Sequence, residues 1–337
     1  ANPNHKTFEI HFRTATERPP LQPQDYTPAV GVGDLLRYNG GEPRPIAIPC
    51  AAALIDLTGN GRRDLVGCWN YAYRPGGPWD GIICYPRTGD VGTFEFGDLV
   101  RVRHVEQADS NDFRHFRQTY MFADFADLNR DKLPDVVYCP SRSDQLYFFL
   151  NSGERDAGGM PIFVASGSAP RQTDAWQPCR AVDLNGDGPI DFVVGGFYLE
   201  NINPQGWPVK LAKGVSLDAG KDACFYDMDG DERLDAVCLV DVPEEGLSNH
   251  RVAWRRNLGG EKLTFGPPKP LGSVDAPYPR AVNAVGDGPR RGLVVNHRHH
   301  EQVSFFEQTN RPGRPPRFHR TNPVESMSAV VGLGDQA

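Results

Sequence analysis

Short apolar runs alternate with short polar turns along nearly the whole chain. Runs rich in Val, Ile, Leu, Phe and Tyr occupy residues 51–55, 81–85, 121–125, 145–150 and 303–306, among others. Their length and their bounding Gly, Pro, Asn and Asp residues predict strands rather than helices. No apolar run approaches the ~18 residues needed for a membrane span. With 36 Gly and 30 Pro dispersed through 337 residues, a largely helical protein is excluded and an all-β one is expected.

A nine-residue polar motif recurs between pairs of these runs. Four copies align: Asp56-Leu-Thr-Gly-Asn-Gly-Arg-Arg-Asp64, Asp127-Leu-Asn-Arg-Asp-Lys-Leu-Pro-Asp135, Asp183-Leu-Asn-Gly-Asp-Gly-Pro-Ile-Asp191 and Asp227-Met-Asp-Gly-Asp-Glu-Arg-Leu-Asp235. A fifth copy, starting at Asn283, is decayed, with Val285 and Arg291 at two of its ligand positions; a sixth begins at Val331. Each intact copy lies between two apolar runs, and a third and a fourth run follow, so the repeat reads as strand, tight loop, strand, strand, strand. In the first repeat the fourth strand is expected at 93–96. Repeats of this size predict the blades of a β-propeller. The expected blades are 50–117, 118–175, 176–220, 221–277 and 278–324. Residues 1–49 and 325–337 are expected to supply a closing blade, giving six, or seven if the chain continues. Closing the ring with strands from both termini would leave no exposed sheet edge.

The loops have the chemistry of calcium cages. Oxygen side chains stand at positions 1, 3, 5 and 9, and a carbonyl at position 7 completes the oxygen-rich shell that calcium prefers. The expected ligands are Asp56, Thr58, Asn60 and Asp64; Asp127, Asn129, Asp131 and Asp135; Asp183, Asn185, Asp187 and Asp191; and Asp227, Asp229, Asp231 and Asp235. Up to four structural Ca2+ ions follow. Formal ligand charge runs from −2 in the first loop to −4 in the fourth, so the Asp227 loop is expected to bind most tightly. An Asx-rich turn without metal is the bland alternative.

The net charge of −7 argues against a generic basic nucleic-acid binder. The seven cysteines lack the CxxC spacing of a zinc clip, their odd number rules out complete intramolecular pairing, and most lie inside apolar runs, so they are expected to be buried as small hydrophobes. The first residues have neither a basic start nor an apolar stretch, and the missing Met suits a trimmed N-terminus. Calcium cages suit a compartment rich in calcium, so a secreted, periplasmic or cell-surface location is expected.

On these loop motifs the chain resembles the FG-GAP/VCBS-repeat propellers of integrin α-subunit heads, some lectins and ulvan-type polysaccharide lyases. The resemblance implies calcium at the four intact loops and leaves adhesion, sugar binding and catalysis all open.

The Asp loops would share one face of the disc, and the second-to-third-strand and blade-to-blade connections the other. That second face is rich in aromatic and cationic residues: Trp69, Tyr71, Tyr73, Arg74 and Trp79, then His115, Arg117 and Tyr120, then His297, Arg298 and His299, with Arg171, Tyr198 and Trp207 in further connections. Aromatic rings stack on pyranose faces, while Arg and His meet carboxylate or sulfate. An acidic, uronic-acid polysaccharide is therefore the expected partner. β-Elimination would use His115 or His299 as base, Tyr71 or Tyr120 as acid, and Arg117 or Arg298 to neutralise the uronate. Trp69, Tyr73, Arg74, Trp79 and His297 would bind substrate. A non-catalytic propeller binding glycan or a protein ligand is the alternative. No Gly-x-Ser-x-Gly elbow, P-loop or dinucleotide fingerprint occurs.

Overall fold

The computed structural model describes residues 37–38, 50–69, 81–88, 95–108, 110–116, 121–140, 143–172, 179–217, 223–241, 250–260, 263–272, 274, 279–285, 292–297, 302–309 and 316–325. These residues are all-β and contain no helix. In chain order, β1 (Arg37–Tyr38) precedes the first blade, formed by β2 (Cys50–Ile55), β3 (Asp64–Trp69), β4 (Gly81–Tyr85) and, beyond β5 (Glu95–Phe96), β6 (Val100–Arg101). Next come β7 (Arg103–Val105) and β8 (Arg114–His115), then the second blade of β9 (Met121–Ala126), β10 (Asp135–Pro140), β11 (Gln145–Arg155) and β12 (Pro161–Pro170). The third blade is β13 (Cys179–Val182), β14 (Asp191–Val194), β15 (Phe197–Leu199) and β16 (Val215–Ser216). The fourth is β17 (Ala223–Tyr226), β18 (Asp235–Asp241), β19 (His250–Arg255) and β20 (Lys269–Pro270). The fifth is β21 (Pro279–Val285), β22 (Gly292–His297), β23 (Gln302–Gln308) and β24 (Phe318–Glu325).

Every blade is an antiparallel meander. The ladders from β9 to β10 and from β17 to β18 run straight out of the Asp motif: Ala126 faces Asp135 and Tyr226 faces Asp235. First strands of consecutive blades pack on one another, as between β2 and β9, β9 and β13, and β17 and β21. Four buried clusters fill the successive spaces between blades, and each draws on two neighbours. Val66, Cys84, Val136 and Phe163 meet between the first and second blades, for example, and Val237, Trp254, Val295 and Phe306 between the fourth and fifth. The apolar residue at loop position 2 belongs to these clusters: Leu57, Leu128, Leu184 and Met228 are essentially inaccessible. The loop thus drives its second side chain inward, together with the carboxylate at its ninth position.

Five blades lie among the described residues. The expected closing blade falls outside them except for β1, which runs parallel to β5, Arg37 facing Glu95 and Tyr38 facing Phe96. The expected fourth strand of the first blade is shifted. Phe96 bridges Arg87, Gly97 donates to the Pro86 carbonyl, and regular pairing resumes only where β6 places Arg101 opposite Ile83. The stretch grouped by sequence with the first blade also crosses over. β7 runs parallel to β12, and β8 pairs back on β7, so Arg103–Val105 and Arg114–His115 extend the second sheet to six strands. This extension covers the outer edge of β12, an edge that would otherwise expose unpaired amides.

Cys68, Cys84, Cys139, Cys179, Cys224 and Cys238 are free and buried, as expected of small apolar side chains. Burial pushes the thiols of Cys84 and Cys179 well up, which makes them inert.

Candidate functional site: the Asp loops and the groove between the third and fourth blades

The four loops share one construction. Backbone φ is left-handed at positions 4 and 6 in every copy. Gly59, Gly61, Gly186, Gly188 and Gly230 meet this requirement, and Arg130, Lys132 and Glu232 adopt it with φ of 64, 68 and 66°. The tight turn explains the Gly-x-Gly signature, because a side chain there crowds its own backbone. The first Asp caps the turn it opens. Asp56 accepts N–H groups from Asn60 and Gly61, Asp127 from Asp131 and Lys132, Asp183 from Gly186 and Gly188, and Asp227 from Gly230, Asp231 and Glu232.

The ninth residue is the anchor. Asp64, Asp135, Asp191 and Asp235 have no exposed surface. One oxygen accepts the N–H of position 2, at 3.0, 2.8, 3.3 and 3.2 Å respectively. The other accepts the N–H of Arg87, Asn151, Asn201 or Asn257, within the third strand in the second blade and just beyond it in the other three, at 2.7–2.9 Å. Each carboxylate therefore ties its loop to the end of the third strand in the same blade. In the third blade the Tyr198 hydroxyl adds a 2.8 Å bond to Asp191. Burial pushes Asp135, Asp191 and Asp235 up to about 6, against the amide bonds that pull the other way, and Asp64 is raised for the same reason.

A second repeated residue escaped the sequence reading. Asn151, Asn201 and Asn257 are buried, and each Oδ1 accepts the N–H two residues on. Each Nδ2 donates to a carbonyl, of Pro134, Gly206 and Leu234 respectively. The signal was present as an Asn in or just after the third strand of the second, third and fourth blades, but nothing in the sequence alone connects it to an Asp some ten to twenty residues earlier. Contacts also pass between blades. Arg155 of the second blade reaches the Leu57 carbonyl of the first, Asn257 of the fourth reaches Leu184 of the third, and Gln308 of the fifth reaches Met228 of the fourth.

These loops fit a calcium ion to different degrees. In the fourth, Asp227, Asp229 and Asp235 bring carboxylate oxygens within 4.8 Å of one another, and Oδ1 of Asp229 is buried with no hydrogen-bond donor. Two arginines already meet this loop: Arg256 Nε lies 2.7 Å from Asp229 and its Nη2 3.0 Å from Asp231, while Arg233 lies 2.5 Å from Asp231. In the second and third loops the position-3 amide donates to the position-5 carboxylate, Asn129 to Asp131 at 2.9 Å and Asn185 to Asp187 at 3.0 Å. In the first, the Thr58 hydroxyl lies 3.3 Å from Asp64 and Asn60 accepts from Arg62.

On the same face a groove of about 860 Å³ separates the third and fourth blades. Asp183, Asp187, Glu200 and Glu232 line it with Arg233, Asn257, Ser216 and the half-buried Phe265.

The residues expected on the opposite face divide. Trp69 and His297 end β3 and β22, at the blade ends away from the Asp loops. His115 lies in β8, opposite Arg103, one residue before Phe116, whose carbonyl abuts Gly81 at the start of β4. It is thus a strand residue on the edge of the second sheet rather than part of a loop. Tyr71, Tyr73, Arg74, Trp79, Arg117, Tyr120, Arg298 and His299 fall outside the described residues. Three further expectations are corrected. Tyr198 lies in β15, buried and bonded to Asp191; Trp207 packs against Phe148 at 6.0 Å on the Asp-loop side; Arg171 is buried and donates to the Pro140 carbonyl. Each has a packing role that its polarity concealed.

The five blades among the described residues define a β-propeller. Residues 127–194, from the second Asp loop through the third, match the family model of the FG-GAP-like repeat. Among solved structures, the chain is similar to an Agrocybe aegerita lectin studied for specific recognition of non-reducing terminal N-acetylglucosamine, with 16% identity, a TM-score of 0.45 and 82% of this chain covered. It spans 65% of that lectin's chain. It is also similar to a putative 6-phosphogluconolactonase from Bacteroides fragilis NCTC 9343, at 15% identity and a TM-score of 0.43, covering 80% of this chain and 69% of that one. No curated protein matches the sequence.

Proposed function

We propose that this chain is a non-catalytic, calcium-stabilised propeller of a calcium-rich extracellular compartment, and that it binds a glycan in the groove between its third and fourth blades. The lining of that groove carries the reading. Carboxylates there accept hydrogen bonds from sugar hydroxyls, Ser216 can donate or accept, Arg233 can donate, and Phe265 offers a ring to a pyranose face. Glu200 and Glu232, which lie outside the calcium ligand sets, keep negative charge in the groove and disfavour a uronate there, so a neutral, hydroxyl-rich glycan is the preferred class. Six blades, with the closing one built from both chain ends, complete the proposed ring.

A second reading keeps the acidic polysaccharide and β-elimination on the opposite face. It is favoured by the density of Tyr71, Tyr73, Arg74, Arg117, Tyr120, Arg298 and His299 in the connections there. A glycan array followed by titration separates the two. The first reading expects binding to neutral glycans that Phe265→Ala and Glu232→Gln weaken, with no unsaturated product from uronic-acid polysaccharides. Ultraviolet absorbance of such a product, lost in His299→Ala and unchanged in Phe265→Ala, would replace it with the second.

A further inference from the structure

The fourth loop differs from its counterparts in one correlated pair of positions. Position 3 is Asp229, where the second and third loops have Asn129 and Asn185. The residue just before the anchoring Asn is Arg256, where those blades have Leu150 and Glu200. The structure joins the two exceptions. Arg256 leaves the end of β19 and lays its guanidinium across the loop, Nε on Asp229 at 2.7 Å and Nη2 on Asp231 at 3.0 Å. Arg233, from within the loop, reaches the same Asp231 oxygen. In the second and third loops the equivalent bridge between positions 3 and 5 is a neutral amide. A fixed positive charge thus stands across positions 3 and 5 of the most acidic loop, and Asp229, only 5% exposed, still points one buried and unpartnered oxygen inward beside Asp227 and Asp235.

We propose that Arg256 is the resident cation of the fourth loop, and that a divalent ion and this guanidinium compete for the same two carboxylates. The proposal rests on the reading of the Asp loops as calcium sites. An entering ion must displace a planar donor that contacts both carboxylates and must overcome repulsion from two arginines. The loop with four formal charges is then a weaker calcium site than the second and third loops with three, the reverse of the ranking by ligand charge. The orphaned oxygen explains why the site stays competent for metal: the arginine satisfies one oxygen of Asp229 and leaves the other for an ion.

Calorimetric titration of the full chain with calcium, after removal of metal by chelation, tests this. Arg256→Gln is expected to tighten one site by about tenfold, the scale on which removing one competing charge-assisted pair acts. Adding Asp229→Asn to that variant is expected to abolish the gain. Arg256→Lys, which keeps the charge but loses the two-point contact, is expected to fall between the two and serves in its place if Arg256→Gln fails to fold. A folded Arg256→Gln or Arg256→Lys protein with the affinities and stoichiometry of the parent overturns the proposal alone, provided the parent binds calcium through sites lost in Asp127→Asn and Asp183→Asn. A parent and variants that all bind no calcium overturn both the proposal and the calcium reading.

Discussion

The third and fourth Asp loops have the same length, the same left-handed turns and the same buried ninth residue, yet their charges are balanced in different ways. In the third, Asp183 is held by loop amides, Asp187 by Asn185, and Asp191 by Leu184, Asn201 and Tyr198. In the fourth, an additional carboxylate at Asp229 is matched by Arg256 and an additional pair forms between Asp231 and Arg233. Counting acids along the loop would make the fourth the stronger cation site. Including the cations delivered by the end of β19 reverses that order. A loop's formal charge is therefore a poor measure of its field when neighbouring strands contribute to it.

The comparison can be broken most forcefully at the ninth position. Asp191→Ala removes the acceptor of two buried N–H groups and a hydroxyl, so a loss of about 3–5 kcal/mol is expected, read by denaturant unfolding. Asp187→Ala, at the loop surface, is expected to cost under about 1 kcal/mol in the absence of calcium. Equal losses would remove the distinction between anchor and ligand positions.

Calcium itself should act next in size. At a hundredfold excess over its dissociation constant, one bound ion stabilises the fold by about 2.7 kcal/mol. EDTA is expected to lower the melting temperature by several degrees. Asp183→Asn is expected to shrink the calcium-dependent increment more than Asp229→Asn does. An increment that falls mainly in Asp229→Asn would restore the ranking by formal charge.

Backbone strain offers a smaller effect. Position 6 is Gly188 in the third loop, while Lys132 and Glu232 hold left-handed φ in the second and fourth. Glu232→Gly is expected to raise metal-free stability by up to about 1 kcal/mol, because the strain relieved exceeds the entropy lost. Destabilisation would show that Glu232 contributes more through its side chain than its backbone costs.

A control outside both loops should show the smallest effect. His104 is buried between Phe116 and Phe149, with ring centroids at 4.7 and 4.8 Å, and burial lowers its pKa from 6.5. The neutral form is therefore favoured in the fold, and its contribution is complete above pH 6.5 and lost as pH falls through the lower folded value. Chemical unfolding between pH 7.5 and 5 should show the parent losing stability relative to His104→Gln as pH falls, a difference that cancels the opposite trend both proteins share from the raised carboxylates of Asp135, Asp191 and Asp235. Identical slopes would assign the pH dependence elsewhere.

Much of the fold was legible because its signals are local. An Asp loop and the strands it joins fall within about twenty residues, and short apolar runs bounded by turn residues need no distant partner to be recognised. The errors arose where pairing is non-local. Arg103–Val105 and Arg114–His115 read as a connection, but they supply the edge that β12 lacks. Tyr198, Trp207 and Arg171 read as surface chemistry because they are polar or amphipathic, whereas Asp191, Phe148 and the Pro140 carbonyl claim them in the interior. The asparagines Asn151, Asn201 and Asn257 carried no mark of importance until the third strand brought each beside a buried Asp.

The sequence by itself determined the all-β class, the repeat and the tight Asp loops, since each follows from short-range pattern and backbone sterics. Only the tertiary structure decided which charges meet. Arg256 is separated from Asp229 by a full pair of strands, and its contact depends on where β19 ends relative to the loop between β17 and β18. Coulombic balance depends on distances in space, and those distances are set by strand register and blade packing that no count of acids along the chain contains.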